Sequence, residues 1–110
     1  MLDAMADRVM FVQLKTGHDI DQGPAWISVV SFNRSWKTAR WHGRVLHRTT
    51  GLFDANFVDE DTGDWYWISG PHRDRQDTRY SGIKPTVDEA AREPYLAFLA
   101  GAPLPGREHG

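Results

Sequence analysis

Residues 53–70 read FDANFVDEDTGDWYWISG. Two short runs rich in aromatic and β-branched side chains flank an acidic stretch holding Gly63, which is the pattern of a β-hairpin. Asp61-Thr62-Gly63 suits a type I turn closed by a left-handed glycine, a three-residue loop with a bulge. With Glu60 facing Asp64, the opposed pairs are Asp59–Trp65, Val58–Tyr66, Phe57–Trp67, Asn56–Ile68 and Ala55–Ser69. Phe53, Ala55, Phe57, Trp65 and Trp67 then share one face, and Val58, Tyr66 and Ile68 share the other. Both faces carry apolar groups, so the hairpin is expected to be covered on both sides. A slip of one residue would exchange the faces, so this assignment rests on the length of the turn.

Around this hairpin, the 110 residues are expected to form one domain of ordinary globular composition, 40% apolar and 25% charged. Five Trp, five Phe and three Tyr favour a β-rich fold, because aromatic side chains suit pleated surfaces and supply large buried area. The absence of cysteine excludes disulfides and thiolate metal sites. The chain has no apolar run of membrane-spanning length and no signal-peptide pattern, which leads to the expectation of a cytoplasmic protein with no membrane partner. Charge is unevenly placed. Gln22 to Phe53 contains no acid but holds Arg34, Lys37, Arg40, Arg44 and Arg48, whereas Asp54 to Asp64 contains five acids and no base.

Upstream, residues 1–9 read as a flexible extension, and Val9–Lys15 as a first strand. The turn-rich segment 16–24 includes His18, Asp19 and Asp21, whose spacing matches no metal cage and is read as a solvated loop. Ala25–Phe32 is a second strand, and Asn33-Arg34-Ser35 a turn. Trp36–Arg48 is a polar, aromatic strand, either bent by a bulge at Gly43 or folded into a hairpin there. Downstream, 70–82 is a long polar loop. Thr86 and Glu89 have the spacing of a capping box, opening a helix that Gly101 stops and Pro94 kinks or divides. Val87, Ala91, Tyr95, Phe98 and Leu99 form its apolar stripe. The expected domain is 10–101, followed by a disordered tail, 102–110. The fold class is therefore β-rich α+β: a small curled antiparallel sheet or SH3-like barrel of about five strands with one kinked C-terminal helix.

The segments Phe11–Gly17, Gly23–Ile27, Trp36–Arg40, Tyr66–Pro71 and Asp74–Asp77 resemble a group of short bacterial proteins marked by a Tyr-Trp-Ile-Ser-Gly run. The resemblance covers about Met10 to Gly106 and implies no catalytic residues. Some similar chains carry the label deoxyxylulose-phosphate synthase. Such an enzyme needs a Gly-Asp-Gly thiamine-diphosphate motif and several domains, and this chain has neither.

Two regions are candidate binding surfaces. In the first, Lys37, Arg40 and Arg44 neutralise phosphates while Trp36 or Trp41 stacks on bases. Against that, the strip reads as a polar sheet edge whose cations face the acidic turn 59–64, and a slightly acidic chain fits this better. The second is the loop with His72, Arg73, Arg75, Arg79 and Tyr80, which contacts a ligand or is simply solvated. Trp65 and Trp67 are either a ligand cage or, as Phe53 and Phe57 suggest, core. No nucleophile elbow, phosphate loop or paired-carboxylate motif is present, and His72 beside Asp74 and Asp77 is the one cluster with enzymatic geometry. The expectation is a non-enzymatic binding module without cofactor or metal. Its partner is a protein or peptide, with nucleic acid at strip 34–48 the alternative and a small enzyme using the His72 loop the third reading.

Overall fold

The computed structural model describes residues 6–15, 23–52, 54–73 and 84–104. Six strands run as an antiparallel meander: β1 (Ala6–Lys15), β2 (Ala25–Phe32), β3 (Thr38–Trp41), β4 (Arg44–Arg48), β5 (Phe57–Asp59) and β6 (Trp65–Ser69). Strand β6 pairs back onto β1, so the sheet closes into a barrel. A short strand, β7 (Thr86–Val87), lies parallel to the start of β2, and one helix, α1 (Glu89–Leu99), follows it. The barrel thus has six strands rather than about five. The extra one arises because Trp36–Arg48 folds as a hairpin, with Trp41 opposite Arg44. His42 and Gly43 sit at φ 48° and 72°, the left-handed pair of a two-residue turn whose twist matches its strands.

The organising hairpin forms, but one residue out of the expected register. Phe57 lies opposite Tyr66 and Val58 opposite Trp65. The turn is longer than expected: the Asp59 N–H donates to the Asp64 carbonyl (2.9 Å), and the Gly63 N–H donates back to the Asp59 carbonyl (3.0 Å). Four residues therefore loop out, with Gly63 at φ 75°. The slip corrects the face assignment. Phe57, Tyr66 and Ile68 point into the barrel, whereas Val58 and Trp65 stay outside and half-buried, and Trp67 packs beneath the helix. Trp65 and Trp67 therefore form neither a cage nor a core with Phe57; Phe53 lies outside the described residues.

Alternation along β1 and β2 builds two cores from one wall. Met10, Val12, Val30 and Phe32 face inward to meet Ala39, Trp41, Leu46, Phe57, Tyr66 and Ile68. Val9, Phe11, Ala25 and Ile27 face outward against Ala91, Tyr95 and Phe98 of α1. Burial on both faces explains why residues 9–12 are apolar without a break. Both expected domain limits shift. Ala6–Val9 pair with β2 instead of forming an extension, and Leu104, 3% exposed, belongs to the outer core instead of a disordered tail.

Thr86 does not cap the helix, because its backbone is used in β7. Asp88 stands at the N-cap, its N–H donating to Ile27 O (2.8 Å), and its carboxylate makes no cap bond. At the other end Gly101, at φ 112°, closes a Schellman turn: the Ala102 N–H reaches Ala97 O and the Gly101 N–H reaches Phe98 O, both at 3.0 Å. Among the described residues no helix is long and apolar enough to cross a membrane.

A single helix runs through Pro94, which leaves the Ala90 carbonyl without its helical donor. Pro94→Ala restores that bond and is expected to stabilise the domain by roughly 1–3 kcal/mol. A denaturant midpoint that stays level or falls would show that packing of the proline ring outweighs the missing bond.

Candidate binding site at the barrel mouth

One end of the barrel gathers the start of β1, β3 and β5 and the close of β2, β4 and β6. Interior-facing positions on the last rungs here carry charge. Arg8 precedes Met10 by two along β1, and Lys37 lies one rung beyond the inward pair Ala39–Leu46, facing Arg48 across an Arg48 N–H to Lys37 O bond of 2.8 Å. The β2–β3 turn is held by Asn33, whose Oδ1 accepts the Lys37 and Thr38 N–H groups at 3.0 and 3.1 Å. The Asn33 carbonyl accepts the Trp36 N–H (3.0 Å). These bonds keep Trp36 at φ 64°, a conformation that costs a bulky residue about 1–2 kcal/mol. Its ring stacks on Phe32 (4.5 Å between centroids), and the Arg8 guanidinium lies 4.6 Å from its centre.

Below this rim is a cavity of about 170 Å³. Met10, Phe32, Phe57 and Ile68 line its depth, with Trp36, Arg48 and Asn56 around it. Asn56 offers little to a ligand. Its Nδ2 donates to Ile68 O and its Oδ1 accepts from Ile68 N–H, both at 2.8 Å, so the side chain imitates a strand partner. The floor is therefore apolar. The charges above it are uncompensated: among the described residues, Arg8, Arg34, Lys37 and Arg48 have no carboxylate partner, and Arg8 Nε is buried without an acceptor. A buried donor left open is uncommon enough to require a reason.

The opposite end uses the same kinds of residue in closed form. Arg44 Nη1 donates to Asp59 Oδ2 (2.9 Å), and the Asp59 side chain is 1% exposed. Its Oδ1 accepts the Asp61 and Thr62 N–H groups at 2.8 and 3.2 Å. Burial alone would push the Asp59 carboxyl up, but these donors outweigh it and hold the group below its ordinary value. Burial also raises the Tyr66 hydroxyl, keeping it neutral beside them. Trp41, 4% exposed, donates through Nε1 to Ser28 Oγ (2.8 Å), and Ser28 donates to Asp88 Oδ2. His42 stacks on Trp41 (4.0 Å) and lies 2.6 Å from the same Asp88 oxygen. Ser28, His42 and Asp88 make no catalytic triad, because the carboxylate and not the imidazole stands between the other two.

The hairpin therefore divides the Trp36–Arg48 strip. Trp36 and Lys37 stand at the mouth, while Trp41 is core and Arg44 is engaged by Asp59, so neither is placed to bind bases or phosphates. Arg40 is exposed on the outer wall, opposite Ser31 and Val45. Strands β3 and β4 are not a sheet edge, since each pairs on both sides, yet β4 does face the acidic turn: Arg44 meets Asp59, and His47 lies 2.8 Å from Glu60. His72 is exposed. Arg73 holds the end of α1, donating through Nε to Phe98 O (3.0 Å) and through Nη2 to Ala102 O (3.0 Å), with its guanidinium 4.6 Å from the Phe98 ring centre. Arg75, Arg79 and Tyr80 lie outside the described residues, as do Asp74 and Asp77, the carboxylates beside His72. Arg8 and the cavity floor were not among the expected site residues, and Arg48, the last residue of the expected strip, was not singled out within it. The period-2 run Arg8, Met10, Val12, Leu14 was the available signal for the first. Among the described residues no group of three or more His, Asp or Glu could hold a metal ion. No protein-family model matches the chain, and comparison with curated proteins and with solved structures returns no match.

Because the native Asp59 carboxyl titrates below its ordinary 3.8, its contribution is complete above that value and lost as pH falls through the native pKa. Asp59→Asn is expected to cost roughly 1–3 kcal/mol at neutral pH. The difference from the parent chain should shrink on acidification below 3.8. Denaturant unfolding of both proteins across this range checks it; a pH-independent difference would remove the charge from the account.

Proposed function

We propose that this protein is a non-enzymatic binding module that receives an acidic segment of a peptide or protein partner at the open end of its barrel. The observation that carries this reading is the set of uncompensated cations, Arg8, Lys37 and Arg48, with Arg34 in the adjoining turn, above an apolar cavity. Like charges gathered at one end repel one another in the free protein, and an anionic partner relieves that repulsion while its apolar part fills the cavity. The wall is set in advance by the Asn33 turn, so little ordering is required on binding. Nucleic acid is the weaker reading. The cations surround a cavity instead of following a track, and of the two tryptophans assigned to base stacking one is buried.

Selection from a randomised peptide pool on the immobilised full chain tests the proposal. Enriched peptides should combine acidic groups with aromatic or branched aliphatic ones and bind less tightly as salt rises. The double variant Lys37→Glu/Arg48→Glu should weaken them by at least about tenfold, near 1.4 kcal/mol. Arg40→Glu, on the outer wall, should leave them unchanged. Peptides held equally by both variants would place binding elsewhere, and nuclease-sensitive co-purification would favour nucleic acid.

A further inference from the structure

We infer that the group seated in the cavity is an apolar carboxylate: one ring, or one branched aliphatic chain, with a carboxylate two or three bonds away. This rests on the barrel mouth being the binding end and adds what enters it. Size sets the first limit. A dry apolar cavity of about 150 Å³ takes up benzene, and the present one, at about 170 Å³, matches a single ring or a leucine-sized chain. Lining chemistry sets the second. Met10, Phe32, Phe57 and Ile68 present no free polar atom, and the Asn56 amide is committed to Ile68 at both ends. A polar group reaching the floor would lose its hydration without replacement.

All polarity of the ligand is therefore confined to its outer end, where only donors wait. Arg8 Nε–H is buried with no acceptor, and its guanidinium is fixed over the Trp36 ring that forms the cavity wall. Arg48 lines the same space, and Lys37 shares its rung. A carboxylate is a small anion that only accepts hydrogen bonds, and its two oxygens can take the Arg48 guanidinium that lines the cavity while the Arg8 and Lys37 charges stand at the same rim. Two sources supply this chemistry: a free organic acid, and the C-terminal residue of a partner chain ending in an aromatic or branched aliphatic side chain.

The test is titration of the isotope-labelled full chain, followed by NMR, with five probes. They are 3-phenylpropanoate, its amide, a pentapeptide ending in phenylalanine with a free C terminus, that peptide amidated, and phenyl phosphate. The expected result is perturbation of the Trp36 indole N–H and the Ile68 amide by both acids, with each amide weaker by about tenfold or more. Arg8→Met should weaken the acids and leave the amides unchanged. Should Arg8→Met fail to fold, Arg48→Gln, at an exposed position, is expected to act in the same direction. Tighter binding of the free peptide than of phenylpropanoate identifies a chain terminus as the source, and the reverse order a free acid. Equal binding of acids and amides at the mouth overturns the carboxylate while leaving the binding end in place. Preference for phenyl phosphate over phenylpropanoate overturns it in favour of a phosphate monoester. Perturbation confined to other surfaces, or none by any probe, overturns the inference; the peptide selection with Lys37→Glu/Arg48→Glu then decides separately whether the mouth is the binding end.

Discussion

The carboxylate of Asp59 governs more of this molecule than any other single group. One of its oxygens gathers the amides of Asp61 and Thr62, and the other receives Arg44 across from β4. The first pair shapes a four-residue turn, and the turn length sets which residues of β5 and β6 face inward. Because β6 then pairs with β1, placing Ile68 opposite Val12 and Tyr66 opposite Leu14, the same choice fixes how the barrel closes. Nearly complete burial of a carboxylate is expensive unless every lone pair is engaged, and this one has two amides and a guanidinium. A group satisfied in only one geometry selects that geometry, and here it selects a register.

This explains what was readable in the sequence and what was not. The hairpin, the stop at Gly101 and the stripe of Ala91, Tyr95 and Phe98 follow from turn chemistry and periodicity, which are local. Register was not legible, because Phe57, Val58, Trp65, Tyr66 and Trp67 are apolar or aromatic in turn, and either phase gives a plausible inner face. What decides between them is a side-chain-to-amide bond within the turn, invisible to a pattern of polar and apolar letters. The cap failed for a similar reason: Thr86 has the right spacing to Glu89, but its backbone is taken by a pairing with Trp26, sixty positions upstream. The candidate site was half legible. Trp36 and Lys37 were found as aromatic and basic neighbours, whereas Arg8 was hidden by starting the first strand too late. Trp41 and Arg44 were misplaced because a two-residue turn at His42 turns a continuous strip into two facing strands.

The two ends of the barrel differ in one respect that composition does not show. At the closed end Arg44 meets Asp59, and His42 lies against Asp88, which also takes Ser28; on the outer wall His47 lies against Glu60. Even the buried Lys15, on the outer wall, meets Asp54 at 3.0 Å and donates to Gln13 Oε1 at 3.1 Å. At the mouth the cations have no such partners among the described residues. Of the acidic run 54–64, Asp59 serves the closed end and Asp54 and Glu60 the outer wall, so the five cations of the preceding stretch are unequally served.

That inequality is sustainable because the stabilising elements lie elsewhere. The helix packs outside β1 and β2, so the outer core does not need the barrel interior to be filled to its rim. The closed end supplies the ion pairs and the inner aromatic cluster of Trp26, Trp41 and Tyr66. Non-glycine residues in the left-handed region then mark where the chain departs from unstrained geometry: His42 in the turn of the closed end, Asp54 in the clamp to Lys15, and Trp36 at the mouth. The first two are held by carboxylate contacts within the protein. Trp36 is held by the Asn33 turn and by Phe32, carries the Arg8 guanidinium over its ring, and lines with Arg48 a space the protein leaves empty. Strain, unpaired charge and an unfilled apolar volume coincide at this one place, and a bound anion with an apolar body answers the last two together.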